Sequence, residues 1–364
     1  MTGVGGKANG GRASAKLAAL LREEILCGRI GAGDFLATER ELAGQHRLAR
    51  KTVGRALKVL EAEGLILSSP RHGHRVLSRA HDPARGAPLA YVRATTEDPR
   101  HWGDLHGYLL AAMQKLAEPR GWSLLALNSG NRSPFDIAEQ LRSARVCGVV
   151  LDTSDAELLD MIRRAGLPAV MVDTWVEDSG IDSIVQDSYL GGLQAARWLA
   201  ERGHKRVAWF GPVGESFQSR ERFGGAAAAL AAAGLDLPAQ LRVESPAQAP
   251  SEAKARRLLA RRGRPTAVIA MWRGQALAVA GAARQLGLVL GRDLDLVGWS
   301  LEEEYESGFR ACFRDGPAPP AVTWKVRDMA EAAMLRLVER RQNPEMAAVQ
   351  IRIPTRLRFD GERV

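Results

Sequence analysis

The sequence predicts the α/β class: a small helical head closed by a two-stranded hairpin, then a larger body of two lobes on parallel sheets. Three observations predict it. Between residues 89 and 300, short apolar runs alternate with helical stretches, the pattern of parallel strands covered on both faces. Residues 16–65 instead carry apolar positions at helical spacing. AHDPARGAP, residues 80–88, parts the two patterns with two prolines, a glycine and no periodicity, and reads as a linker.

The elements follow in chain order. Residues 1–15 are Gly-rich and polar, with no apolar segment of the kind a secretory leader needs, and read as a disordered tail. KLAALLREEILC (16–27) has helical spacing, and GRIGAGD breaks it. Thr38 followed by Glu41 is a capping box that opens a second helix, ERELAGQH. After a brief turn, LARKTVGRALKVLEAEGL (48–65) places Leu48, Val53, Leu57, Leu60 and Leu65 on one stripe, and Gly64 ends it. LILSS and HRVLS around PRHGH predict a hairpin. Three helices and this wing make a winged helix-turn-helix over 16–79.

The third helix is charged against its own dipole. Arg50, Lys51, Thr52 and Arg55 open it, while Glu61 and Glu63 close it. Stability alone favours acids first and bases last, so an external anion such as a phosphate backbone is expected at its start. The charge of the whole chain points the same way. Residues 1–80 hold 14 Lys+Arg against 7 Asp+Glu, and the other 284 residues hold 37 against 35, for a total of +9. A basic head on a nearly neutral body suits a polyanionic partner.

In the body, LAYVRA, WSLLALN, VCGVVLD, LPAVMVD, RVAWFG, AVIAMW and LDLVGWS read as strands. LHGYLLAAMQKLAEPRG, DAELLDMIRRAG, YLGGLQAARWLAERG and GQALAVAGAARQLG read as the helices between them. Residues 89–364 exceed one such sheet, so two lobes are expected, with ligands at the carboxyl ends of the strands. Asp187 opens a helix near a lobe crossing and reads as an N-cap. KARRLLARRGR (254–264) reads as a solvated basic helix end. No run approaches the roughly 18–20 apolar residues of a membrane span. The three cysteines are far apart and form no metal spacing or disulfide framework, which fits a reducing cytoplasm. No cofactor, metal or catalytic constellation emerges.

The order ILCGRIGAGDFLATEREL, RLARKTVGRALKVLEAEGLI and RHGHRV resembles the gluconate-repressor (GntR) family of winged-helix DNA-binding proteins. The resemblance implies DNA contact through Thr38, Arg40, Arg50, Lys51, Thr52, Arg55, His72, Gly73, His74 and Arg75. The arginines suit guanine edges and phosphates, and the glycine wing suits close approach to a groove. Lys51 stands where a small polar residue is more usual, and Gly54 where an arginine often stands.

IVQDSYLGGLQAARWLAERGHKRVAWFG (184–211), SRERFGGAAAAL (219–230), PTAVIAMWRGQALAVAGAARQLGLVLGRDLDLVGWS (265–300) and IRIPTRLRFDG resemble the effector domain of the lactose-repressor (LacI/GalR) family. That resemblance implies a two-lobed periplasmic-binding-protein-like domain, here joined as in arabinose-repressor-type hybrids, with no counterpart of the usual hinge helix in the linker. The effector residues it implies are Trp102, Asn128, Asp173, Arg222, Trp272, Arg273, Ser300 and Arg327. Arg222 matches the arginine that grips sugar hydroxyls. Trp272-Arg273 replaces the usual Asn-Asp, and Ser300 the usual Asp. With Lys325 and Arg327 near the third lobe crossing, the cleft is expected to be short of carboxylates and to favour an acidic sugar or sugar phosphate.

The expected function is that of a cytoplasmic, homodimeric, sequence-specific transcription repressor with no enzymatic activity. Its partners are a double-stranded DNA operator and a carbohydrate-like effector. The alternatives are a nonspecific DNA-binding architectural protein and a sugar-binding protein without a regulatory role.

Overall fold

The computed structural model describes residues 5–26, 30, 33–69, 73–76, 87–95, 104–118, 121–245, 250–314 and 316–362. His72, Trp102, residues 1–4 of the expected tail and residues 80–86 of the expected linker lie outside them.

The head contains α1 (Gly5–Leu26), α2 (Glu39–Gln45), α3 (Arg50–Ala62), β1 (Ile66–Ser69) and β2 (Gly73–Val76). Residues 5–15 are thus helical, not the disordered tail expected from their glycines. Propagating a helix costs far less than starting one, so a helix nucleated over 16–26 extends backwards. Leu17, Ala18, Leu21 and Ile25 of α1 are buried with Val53, Ala56, Leu57 and Leu60 of α3 in one core. Leu65 is buried in the same core, and Leu48 is half-buried against it. Gly64 takes a left-handed φ of 64° after α3, and Leu65 N–H returns to Leu60 O.

The capping box of α2 is complete. Thr38 Oγ1 accepts from Glu41 N–H at 3.3 Å, and the Glu41 carboxylate accepts from Thr38 N–H at 2.8 Å. These bonds hold the Glu41 carboxyl below its ordinary range. The wing is antiparallel, from Ile66 opposite Val76 to Ser69 opposite Gly73. Asp34–Leu36 adds a third rung, through Leu36 N–H to His74 O and Val76 N–H to Asp34 O, each 2.8 Å. Short apolar alternation does not announce that rung.

The body is two six-stranded sheets. The N-lobe carries β3 (Leu89–Arg93), β4 (Leu124–Asn128), β5 (Gly148–Asp152), β6 (Ala169–Val172), β7 (Asp182–Gln186) and β13 (Gln350–Ile353), in the order β13-β7-β6-β5-β3-β4. Its helices are α4 (Asp104–Ala117), α5 (Pro134–Ser143), α6 (Ala156–Arg164) and α11 (Val326–Gln342). The C-lobe carries β8 (Val207–Phe210), β9 (Arg242–Val243), β10 (Ala267–Ala270), β11 (Asp295–Leu301), β12 (Ala321–Trp324) and β14 (Arg356–Arg358), in the order β14-β12-β11-β10-β8-β9. Only the edge pair β12–β14 of that sheet is antiparallel. Its helices are α7 (Ser188–Glu201), α8 (Phe217–Ala232), α9 (Glu252–Leu259) and α10 (Arg273–Gln285).

The chain changes lobe three times: after β7, after β12 and after β13. Lys325 and Arg327 therefore sit at the second crossing, not the third. Asp187 caps α7 at the first, accepting from Leu190 N–H at 3.0 Å, as its position suggests. Glu303 supplies the missing cap of α11 at the second, through bonds of 3.1 Å from Val326 and Arg327 N–H.

Candidate nucleic-acid interface and effector site

In the head, α3 buries its apolar stripe and turns Arg50, Lys51, Arg55 and Lys58 to solvent, with Thr52 half-buried beside them. Arg50, Lys51 and Arg55 make no hydrogen bond or ion pair among the described residues. The N-cap, Ala49, has no side-chain cap. The acids at the other end do have partners. Arg22 of α1 clamps Glu63, with Nε 2.7 Å from Oε2, and Glu61 accepts from Ser68 N–H at 3.2 Å. The reversed charge order is thus satisfied at the carboxyl end of the helix and left open at its start, where anions bind.

Thr38 and Arg40 are exposed at the start of α2, but the Thr38 hydroxyl is engaged by Glu41. On the wing, Gly73 takes φ 85°, a backbone that favours glycine. His74 Nδ1 meets Ser68 Oγ at 2.9 Å across the hairpin, and Arg75 Nε donates to Gly33 O at 3.1 Å. Both side chains are half-buried and hold the wing together, a role the sequence reading did not assign them.

In the body, two glycines build the second site. A Cβ on Gly192 of α7 would overlap the Arg222 carbonyl, and one on Gly225 of α8 would overlap the Tyr189 carbonyl. The bare backbones therefore let α7 and α8 touch. Arg222, 1% exposed, is carried in under the ends of β10 and β11. Its Nη1 donates to Met271 O at 2.6 Å and its Nη2 to Gln186 Oε1 at 2.9 Å. The rings of Trp299, Trp272 and Trp324 lie 4.2, 5.6 and 5.9 Å from its Cζ. Burial lowers the guanidinium pKa to about 9, with Asp173 opposing.

Gln186, ending β7, joins the lobes. Its Oε1 also accepts from Trp299 Nε1 at 3.2 Å, and its Nε2 donates to Asp173 at 3.1 Å. Gln218 of α8 donates across to the Asp173 carbonyl. Asp173 itself has a left-handed φ of 53°, and burial raises its pKa. Beside it, Asp152 ends β5 and lies 3.6 Å from Arg93 Nε and 3.5 Å from His106 Nδ1. Burial, then the neighbouring Asp173, pushes the Asp152 carboxyl up to about 7. His106 accepts or donates at 2.8 Å with the Tyr91 hydroxyl, and burial lowers its pKa to about 3, so it is neutral.

The structure thus brings together Asp173, Arg222 and Trp272 of the expected effector residues. Asn128 is half-buried at the end of β4. Ser300 is buried in β11, with its hydroxyl donating to Leu301 O at 3.1 Å. Arg273 pairs with Glu304. Arg327 is exposed, pairs with Glu331 at 2.7 Å, and lines a separate cavity of about 750 Å³ with Glu302, Glu303 and Lys325. The expected shortage of carboxylates is therefore corrected: Asp173 is bonded into the Gln186–Arg222 network with Asp152 beside it, and acids answer Arg273 and Arg327. Gln186, Asp152, His106, Trp299 and Trp324 escaped the sequence reading. Asp152 had a signal, since it ends VCGVVLD as Asp173 ends LPAVMVD. Gln186 and Trp324 end β7 and β12, which were not recognised as strands.

Residues 102–294 match the family described as "Periplasmic binding proteins and sugar binding domain of LacI family". The chain belongs to this family. Ahead of its LacI-type domain, residues 13–76 match "Bacterial regulatory proteins, gntR family". This LacI-type chain is similar to the HTH-type transcriptional repressor PurR of Vibrio atlanticus, 27% identical over 186 residues, 50% of this chain and 56% of that protein. PurR of Pectobacterium carotovorum is 28% identical over 203 residues, 52% and 58% of the two chains. The chain thus spans little more than half the length of these curated relatives. Among solved structures, a CelR–cellobiose complex superposes with TM-score 0.65 at 20% identity, covering 89% of this chain and 99% of that one. A ribose operon repressor from Burkholderia thailandensis, described as putative in its own report, gives 0.60 at 22%, covering 76% and 100%. These likenesses show the fold.

Proposed function

We propose that this LacI-type chain is a sequence-specific, DNA-binding transcription repressor whose operator affinity is set by a small polar effector between its lobes. The observation that carries the reading is the open cationic start of α3. Arg50, Lys51 and Arg55 stand exposed, without partners among the described residues, on a helix whose opposite end is neutralised. Such a face gains most from phosphates and guanine edges. Arg40 and the Gly73 turn extend it, while Thr38, His74 and Arg75 act by shaping the head. Two heads on a homodimer suit a pseudo-palindromic operator. The effector closes the lobes on Arg222, Gln186, Asp173 and Asp152, and closure changes operator affinity by a coupling that acts in both directions. The setting of this activity is the cytoplasm.

Genomic fragments selected by purified protein, in parallel with Arg50→Ala, test the reading. Wild type is expected to enrich a palindrome that the variant does not. Fragments held by both proteins with no common sequence would point to an architectural DNA-binding protein instead.

A further inference from the structure

The positive charge of the body is gathered on one edge. Three segments far apart in sequence, 201–206, 254–264 and 292–295, hold 10 Lys+Arg against 3 Asp+Glu, while the other 263 residues after position 80 hold 27 against 32. The fold brings the three together. They lead into β8, β10 and β11, which neighbour one another and run parallel in the C-lobe sheet. All three therefore meet at its amino edge, the side away from the cleft. Bonds join them. Thr266 N–H donates to Arg206 O at 3.0 Å, and His204 lies between Thr266 Oγ1 at 2.9 Å and Asp295 Oδ2 at 2.8 Å. Arg264 Nη1 donates to Asp293 O at 2.9 Å, and Arg261 Nη1 carries the edge on to the entry of β9, donating to Gln240 O at 3.1 Å.

Two of the three acids on this edge are spent. Asp295, 6% exposed, takes Arg202 and His204 beneath the surface, and Asp293 takes Arg292. The side chains of Lys205, Arg206, Arg256, Arg257 and Arg262 are exposed and make no hydrogen bond or ion pair among the described residues. The α9 dipole accounts for Arg256 and Arg257, which stand in its last turn. It does not account for Lys205, Arg206 and Arg262, which stand in turns, where like charges repel and destabilise the compact state. A solvated helix end therefore explains only part of the face. Eight of its ten cations are arginines, whose planar fork matches phosphate. Leu258, Leu259 and Leu294, the large apolar residues of the three segments, are buried, so the face offers nothing to insert into a lipid surface. The entries of β11, β10, β8 and β9, about 4.8 Å apart, span about 14 Å, which matches about four phosphates of one strand at about 3.4 Å each. We infer that the amino edge of the C-lobe sheet holds a second segment of DNA duplex by its phosphates, without reading sequence, while the head holds the operator. The choice of DNA rests on the DNA-binding reading of the head, because a chain bound to its operator meets other duplex at high effective concentration.

The test uses the full chain and a combined variant, Lys205→Gln, Arg206→Gln and Arg262→Gln. These side chains have no bond to lose among the described residues, so the variant should melt with wild type. The selected operator fragment is fixed on beads, loaded with protein and offered a fluorescent duplex of random sequence. Wild type should retain the second duplex. The variant should bind the operator as before and retain the second duplex about tenfold less, with a log–log salt slope lower by about 0.9 for each cation that met a phosphate. Equal capture by the two proteins would overturn the inference, since heads alone would then hold both duplexes. No capture of duplex by wild type would also overturn it; binding of phosphatidylserine vesicles or of poly-glutamate that the variant loses would then assign the face to a membrane or to an acidic protein. Arg50→Ala separates the two readings. In free solution it should lose the palindrome and keep the share of random-duplex binding that the glutamine variant loses. An Arg50→Ala protein that still selects the palindrome condemns the reading of α3 and leaves the edge to be judged by the glutamine variant.

Discussion

At the scale of single residues, the head separates contact from support. Among the described residues the Arg50 side chain makes no bond that would be lost, so Arg50→Ala should leave the melting temperature nearly unchanged. It should cost operator binding about 1–3 kcal/mol, roughly fivefold to more than hundredfold. Calorimetric melting and a binding titration on the same sample check both halves. Arg75→Ala should do the reverse in part, loosening the wing from Gly33 before it weakens DNA contact. In the body, Asp152 carries a pH signature. Its folded pKa of about 7 lies above the ordinary 3.8, so between these values the folded state holds the proton more tightly than the unfolded chain. Stability from this group is full below about pH 4, falls as pH rises toward 7, and is level above. Asp152→Asn should flatten that slope in melting curves between pH 4 and 7. An unchanged slope would show that Arg93 already offsets the burial. The sequence exposed the cationic residues of α3 plainly, because a charge order that opposes the dipole needs an external cause. It did not expose which wing residues were spoken for, since Ser68–His74 and Gly33–Arg75 are pairings made by folding.

At the scale of elements, the site depends on two helices meeting without side chains between them. Gly192→Ala or Gly225→Ala places a methyl group where the partner backbone stands, and neither backbone can retreat without withdrawing Arg222. Overpacking of this kind costs typically 1–3 kcal/mol. The variants should melt earlier and also lose effector affinity, whereas Gly234→Ala, with open space for its methyl but a left-handed φ of 69°, should melt earlier from backbone strain and leave binding intact. Thermal melts and ligand calorimetry separate these outcomes. Thr38→Ala belongs here too, because its hydroxyl completes a capping box; loss of about 1 kcal/mol of head stability is expected. Strands that are apolar throughout, such as β6, β8 and β10, were legible in the sequence because burial on both faces leaves one composition. β7, β12 and β13 were not. DSIVQ and QIRI mix polar residues that the crossings use, and AVTW is a four-residue strand after a run of prolines. The two lobes were legible in the alternation, but the glutamine and the tryptophan that pack around Arg222 stood in the strands that were missed.

At the scale of the whole molecule, charge and coupling make separate demands on one chain. Half of the positive charge in residues 1–80 is unanswered by acids, while the rest of the chain is close to neutral. Operator affinity should therefore fall steeply with salt through the head alone, by a log–log slope near 0.9 for each phosphate neutralised. Lys51→Ala should lower that slope by about one per head without changing the selected sequence, because an ammonium beside a phosphate positions the helix and reads no base. Effector should act on a different quantity. If closure on Arg222 and Gln186 biases the heads, effector shifts the operator constant by some factor at every salt concentration and leaves the slope alone. Linkage then requires operator DNA to shift the effector constant by the same factor. Gln186→Ala, which cuts the bridge between Asp173 and Arg222, should reduce both factors together toward one while the chain still binds operator. Paired titrations of operator with and without effector, and of effector with and without operator, measure the two factors. A variant that lost one and kept the other would show that the effector acts through a path other than the bridge.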